Sequence, residues 1–323
     1  MKGNNGKKKK INGESLNRYI LIVLLLVELV VFSMISPYFL TIKNIFAIGL
    51  NISVLGIVAI GQTICILTSD FDLSVGNAAA FTGIMLGFFF QNMGLPYIPA
   101  FLLAILVAAL IGLVNGLLIT KLKINAFITT MATNFMLGGM VLLVSNGTAI
   151  LVSDKTFGLL GKTTLTGLKI PLPMVLLLVL YLVFAWILKN TVLGRHIYCV
   201  GGNAEAAKIA GINIHRVKII AYIMSAVLSG FAGIILSSRM NAAQLTVGST
   251  YSMESIAGTV LGGTILAGGK GKIMGTLVGV LITGILSNGL TMVGVSQAWR
   301  DIATGLLLIF AIVMQNMTSK IKD

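Results

Sequence analysis

The chain has 323 residues, of which 57% are hydrophobic and only 10% charged, and its mean hydropathy is +1.00. Soluble domains are roughly half apolar and a quarter charged, so a water-soluble globule is excluded. The formal charge of +14 does not mark a nucleic-acid binder either, because the lysines and arginines lie between apolar runs, where membrane topology accounts for them.

Apolar runs of about 17 residues or more, about 30 Å long as helices, recur along the chain and match the hydrocarbon thickness of a bilayer. Lipid offers no water to exposed backbone groups, and the alternating pattern of barrel strands is absent, so the expected class is an all-α membrane protein. Residues 1–18 form a basic segment that includes Lys7 to Lys10 and Arg18. The run from Tyr19 to Ile35 is too long for a secretory signal, and Ser36-Pro37-Tyr38-Phe39 is a poor cleavage site, so this run reads as the first span. Further spans are predicted at about 47–68, 73–92, 97–120, 125–145, 171–188, 218–237, 254–268, 273–290 and 300–317, about ten in all. The expected organisation is a single transmembrane domain over 19–317, with an internal loop at 189–217 and a tail at 318–323.

Most of the 23 lysines and arginines then fall on one side, leaving Lys43, Lys155, Lys162, Lys169, Arg239 and Arg300 on the other. The excess places both termini in the cytoplasm. One junction departs from this pattern. The turn from Ser69 to Gly76 would be internal, yet it carries Asp70 and Asp72 and no cation, which suggests a re-entrant break at membrane depth. A faint repeat relates Gly61 to Gly76 with Gly263 to Gly275: each is an apolar run, a polar Gly- or Ser-rich break and another apolar run. Broken segments in both halves point to a transport route, whereas ordinary short turns are the plain alternative. Gly112 with Gly116 and Gly275 with Gly279 have the spacing that lets helices approach closely in lipid.

Catalytic and metal-ligating constellations are not found. Gly161-Lys162-Thr163 resembles the end of a phosphate-binding loop but has Thr156 where the leading glycine belongs, and Gly268-Gly269-Lys270-Gly271 has Thr264 there. ATP, if used, must therefore be bound by another chain. Cys65 and Cys199 read as small hydrophobes, and His196 and His215 as loop residues near headgroups.

The loop segment Gly201-Gly202-Asn203-Ala204-Glu205-Ala206-Ala207-Lys208-Ile209-Ala210-Gly211-Ile212 spells out a short helix. Asn203 caps it, Glu205 suits its positive end and Lys208 its negative end, and Gly211 stops it. About two turns are not stable alone, so it needs a surface. That surface is either a partner ATPase, which makes it a coupling helix, or headgroups and its own bundle.

With Ile66 to Gly76 and Leu261 to Gly271, this loop resembles the ribose-type, monosaccharide branch of bacterial ABC importer permeases, nearly end to end. The resemblance implies a ten-helix vitamin-B12-importer-like fold and a second permease copy, as a homodimer or a paralogue. It also implies a cytoplasmic ATP-binding subunit that holds the Mg-ATP, with no cofactor in this chain, and an extracellular sugar-binding protein. Gly201, Gly202, Asn203, Ala204, Glu205, Ala206, Ala207, Gly211 and Ile212 become the residues that couple to the ATPase. Two departures stand out: Asp70 replaces the family's usual glycine, with Phe71 after it, and Ser252 replaces an acid in the stretch Tyr251 to Ala257.

Intramembrane acids are costly and merit a functional reading. Asp70, Asp72, Ser74, Asn77 and Glu254 are the pathway candidates, with Asn51, Gln62, Asn115 and Asn288 behind them. Helix capping ranks above direct substrate contact for Asp72 and Glu254, because a binding protein relieves the pore of tight recognition. The expected function is ATP-driven import of a monosaccharide, ribose first, across a bacterial plasma membrane. A secondary carrier is the rival reading, but it would want more deep charges, and a channel would want a filter.

Overall fold

The computed structural model describes residues 13–165, 169–246 and 248–320, so Lys7 to Lys10 and the last residues of the tail lie outside the described part. Helix α1 (Gly13–Ile35) is followed by α2 (Ile42–Leu67), α3 (Val75–Gly87), α4 (Tyr97–Thr120) and α5 (Ala126–Ser145). After a folded loop come α7 (Leu172–Asn190), α8 (Val192–Gly202), α9 (Ala204–Ile209), α10 (Ile214–Met240), α11 (Tyr251–Leu261), α12 (Ile273–Met292) and α13 (Gln297–Lys320). Among the described residues six helices, α2, α4, α5, α7, α10 and α12, are long and apolar enough to cross a membrane.

The sequence locates most helices to within a few residues, because the caps sit beside the apolar runs. Thr41 accepts the N–H of Asn44 at the start of α2, Asn125 that of Phe127 at α5, and Asn213 that of Arg216 at α10. The expected span at 254–268 requires correction. Helix α11 stops at Leu261 and is 11 residues long, about 16 Å, half a bilayer. Helix α3 is likewise short, with 13 residues that run on into a π-helical turn at Phe88–Asn92.

Helix α10 forms the hub, packing on α2, α3 and α4. Its contacts need small residues. A methyl group on Gly233 would lie 2.0 Å from the Ala79 carbonyl, and one on Gly112 would lie 2.4 Å from that of Tyr222. Gly275 and Gly279 face the backbone of Gly262 and Gly258 equally closely, so both glycine pairs are packing devices. Exposed Leu, Ile and Phe side chains cover the outer faces of α4, α5 and α7.

The loop after α5 is structured. Strand β1 (Ile150–Leu151) pairs antiparallel with β2 (Ala242–Ala243), with Ile150 opposite Ala243. A 3-10 turn (Lys155–Gly158) leads into the one-turn α6 (Leu159–Lys162). Gly161 N–H donates to Ser238 Oγ at 3.0 Å, and Ser238 Oγ donates to the Phe157 carbonyl. The glycine of the first phosphate-loop decoy is thus buried against the end of α10.

Candidate functional site

Two helix interruptions, 68–74 and 262–272, meet beside the α8–α9 arm. Helix α2 ends where Thr68 turns its hydroxyl back to the Cys65 carbonyl, and Ser69 adopts the left-handed conformation with φ +65°. The Gly269 N–H donates to the Leu67 carbonyl at 3.0 Å. Ser69 Oγ lies 2.7 Å from the Ala267 carbonyl and 2.9 Å from that of Gly201. Tyr198 of α8 donates to the Gly271 carbonyl at 3.0 Å. Packing here is backbone on backbone, since a methyl group on Gly201 would fall 1.7 Å from the Leu67 carbonyl.

From this junction the extended stretch climbs along α10. Asp70 pairs with Lys218 at 2.8 Å, the two being 11% and 21% exposed. This supplies the cation that the sequence left missing from the turn. One step on, the Phe71 carbonyl accepts from Tyr222. Asp72 is fully buried. Its Oδ1 accepts from the Ser74 N–H at 2.9 Å and the Ser74 hydroxyl at 2.5 Å, and its Oδ2 accepts from Ser225 at 3.0 Å. Ser74 Oγ also accepts from Asn115 Nδ2 at 3.0 Å, and Asn115 Oδ1 accepts from Thr133 at 2.6 Å. The polar chain therefore ties α10, the first break, α4 and α5 together, each buried group meeting a partner.

The short helices α3 and α11 begin next to each other. Ser252 Oγ donates to the Leu73 carbonyl at 2.8 Å, and the backbones of Gly76 and Gly248 touch so closely that a methyl group on Gly76 would sit 2.3 Å from the Gly248 carbonyl. A carboxylate in place of Ser252 has no proton to give Leu73, so this departure from the resemblance has a structural use. Thr63 of α2 contacts Thr276 at 2.8 Å and Thr259 at 3.3 Å.

The remaining candidates fall elsewhere. Asn77 donates to the Asn134 carbonyl at 2.8 Å, joining α3 to α5. Asn51 accepts from Arg239, and Asn288 exchanges bonds with Asn44. Glu254 is half-buried in the first turn of α11, a helix that packs on α13, and it takes no part in the hydrogen bonds that surround Asp72. Glu28, midway along α1, escaped the sequence reading. It is 8% exposed, with Oε2 unpartnered among the described residues.

In the arm, α9 has the expected cap, Ala206 N–H to Asn203 Oδ1 at 2.9 Å, and Gly211 has φ +80°. Helix α8 was not foreseen, although Thr191 before it caps Gly194 and the buried Gly194, Ile197 and Val200 recur every third residue. Gly201 and Ala207 are buried and Ile212 packs on the core, so they hold the arm to its own bundle. Outward stand Gly202, Asn203, Ala204, Glu205, Ala206 and Gly211, together with Ile209, which is 89% exposed.

Fold and site define a helical membrane protein with two interrupted segments that meet backbone on backbone, the first of them anchored to its neighbours by a buried polar cluster. The chain belongs to the family described as branched-chain amino acid transport system / permease component, whose family model matches residues 44–312. It is therefore a non-catalytic permease subunit embedded in a membrane. It is similar to the ribose import permease protein RbsC of Escherichia coli strain K12, at 38% identity over 91% of this chain and 92% of the relative. The Bacillus subtilis ribose import permease is 37% identical over 91% of each chain. The L-arabinose transport system permease protein AraH of Escherichia coli is 36% identical over 96% of this chain and 94% of the relative. No solved structure matches the chain at a significant level.

Proposed function

We propose that the chain is the membrane subunit of an ATP-binding-cassette importer that moves a monosaccharide, ribose first, into a bacterial cell. The observation that carries this reading is the likeness, over more than nine-tenths of the chain, to permeases named for ribose and arabinose. In it the chain forms one transmembrane domain over 19–317 with ten crossings of the vitamin-B12-importer type, α3 and α11 being the interrupted ones. Both termini lie in the cytoplasm. A second permease copy, identical or paralogous, completes the pathway. A cytoplasmic subunit holds Mg-ATP, and an extracellular sugar-binding protein docks on the loops at about 37–44, 146–170 and 239–252, of which residues 42–44, 159–162, 239–240 and 251–252 belong to α-helices.

The outward face of α9, with Glu205, Ala206 and Ile209, is the coupling surface. Closure of the ATPase pair displaces it and shifts the population between outward- and inward-facing states. Asp72, with Ser74 and Asn115, holds the start of α3, so its place is structural support of the pathway. Asp70, Asn77 and Glu254 support neighbouring helix contacts by the same reading.

The test is uptake of radiolabelled ribose by proteoliposomes containing the permease, its ATPase and the binding protein. Ala206→Pro is expected to abolish ATP-driven uptake while the permease remains in the membrane. Normal uptake by that variant removes the coupling assignment. Uptake driven by an ion gradient without the ATPase instead favours the secondary carrier.

A further inference from the structure

Ser69 has one hydroxyl proton and two carbonyl acceptors, Ala267 at 2.7 Å and Gly201 at 2.9 Å. A single proton makes one well-aligned bond at a time, so the two carbonyls compete for it. They belong to different bodies, Gly201 to the end of α8 and Ala267 to the second break. Asp70, the next residue, makes the one ion pair found among the described residues, with Lys218 near the start of α10. Helix α9 lies between the end of α8 and the start of α10 in the chain. Both of its anchors are thus fastened to the same dipeptide.

The dipeptide is in turn fastened to the second break through Ser69 Oγ and the Ala267 carbonyl, and two residues before it the Leu67 carbonyl accepts from the Gly269 N–H. No slack exists at this point, since a methyl group on Gly268 would meet Ser69 Oγ at 2.2 Å and one on Gly269 would meet Gly202 Cα at 2.5 Å. Close-packed backbone moves as a unit or switches between arrangements; it does not deform gradually. The left-handed conformation of Ser69 would suit glycine better, so its hydroxyl is what the position gains from serine. Lys218 and Asp70 are mostly shielded from water, which leaves their attraction little screened by salt.

We propose that Ser69 and Asp70 are positioning residues that transmit displacement of the α8–α9–α10 arm to both helix breaks at once, so that α3 and α11 move in concert. The proposal rests on the importer reading above. A tie that only held the fold together would change stability and leave the sugar moved per ATP unaltered. A transmitting tie changes that ratio.

The experiment uses the full complex, permease with its ATPase and binding protein, in proteoliposomes, and measures ribose moved per ATP hydrolysed alongside the thermal stability of each complex. Ser69→Ala and Asp70→Asn are expected to assemble and hydrolyse ATP, and to lose about tenfold in ribose per ATP, an ordinary size for a coupling factor. Ser69→Gly, which relieves the backbone while removing the hydroxyl, should lose as much, which covers the case in which Ser69→Ala fails to fold. Exchanging the charges, Asp70→Lys with Lys218→Asp, should restore most of what Asp70→Asn loses. Wild-type ratios in both Ser69→Gly and Asp70→Asn, or losses that follow melting temperature alone, overturn the proposal. A wild-type complex that moves no ribose on ATP overturns the importer reading itself, and the transmission role falls with it.

Discussion

Asp72 and Ser225 stand 153 positions apart in the chain and 3.0 Å apart in the fold, the carboxyl group accepting from the hydroxyl. Because Asp72 also receives the Ser74 N–H and hydroxyl, it fixes both the start of α3 and the seat of α10 beside it. Asp72→Ala leaves these three buried donors unpaired and is expected to cost at least about 3 kcal/mol, at roughly 1–3 kcal/mol for each unsatisfied group. Asp72→Asn keeps an acceptor oxygen and should cost about 1 kcal/mol. Thermal unfolding of the detergent-purified protein, followed by loss of the monodisperse peak, compares the two; equal stability of all three proteins would falsify the capping role.

Glycine positions divide sharply by what faces them. Gly233→Ala puts a methyl group 2.0 Å from the Ala79 carbonyl, which forces α3 and α10 apart at a cost of about 1–3 kcal/mol or more. Gly139 of α5 faces nothing within 4 Å. Gly139→Ala should therefore stabilise the protein by about 0.5–1 kcal/mol through helix propensity. Melting temperatures moving in the same direction for both variants would contradict the packing described.

Glu28 places a carboxyl group in the apolar α1 with one oxygen unpartnered among the described residues. Burying such a group without a bond costs about 1–3 kcal/mol. Glu28→Leu is expected to raise the melting temperature and keep ribose uptake. A fall in melting temperature would show that the carboxyl group has a partner, and a stable variant without uptake would give Glu28 a transport role.

Asp154 lies outside the spans, in the loop before the 3-10 turn, fully exposed. The Thr156 hydroxyl and N–H both donate to its carboxylate, and these bonds hold it below the ordinary aspartate value of 3.8. A group whose folded value is depressed contributes stability above its unfolded value and loses it as pH falls through the folded one. Hydrogen exchange of the Thr156 amide should therefore stay slow at neutral pH and quicken, relative to intrinsic rates, only as pH drops below about 4. Asp154→Asn, which does not titrate, should remove that dependence. An unchanged pH profile in the variant would sink the assignment.

The apolar runs determine by themselves that this chain lives in lipid, because no soluble core could absorb them. Asn203 and Gly211 likewise fix α9, since a cap acts on groups within a turn or so along the same chain. The amphipathic spacing of Gly194, Ile197 and Val200 held the signal for α8, hidden by the basic residues around it. Helix α11 looked longer than it is because apolar residues continue through Ile265 and Leu266, yet it stops at a local glycine cap, with Gly263 at φ +88° and the Thr264 N–H donating to the Thr259 carbonyl. The chain alone could not pair Asp70 with Lys218, or bring Ser69 to carbonyls 132 and 198 positions away. Local rules see a few neighbours along a helix, whereas these meetings depend on how packed helices are rotated and shifted against one another, and that is settled only when small residues let the backbones touch.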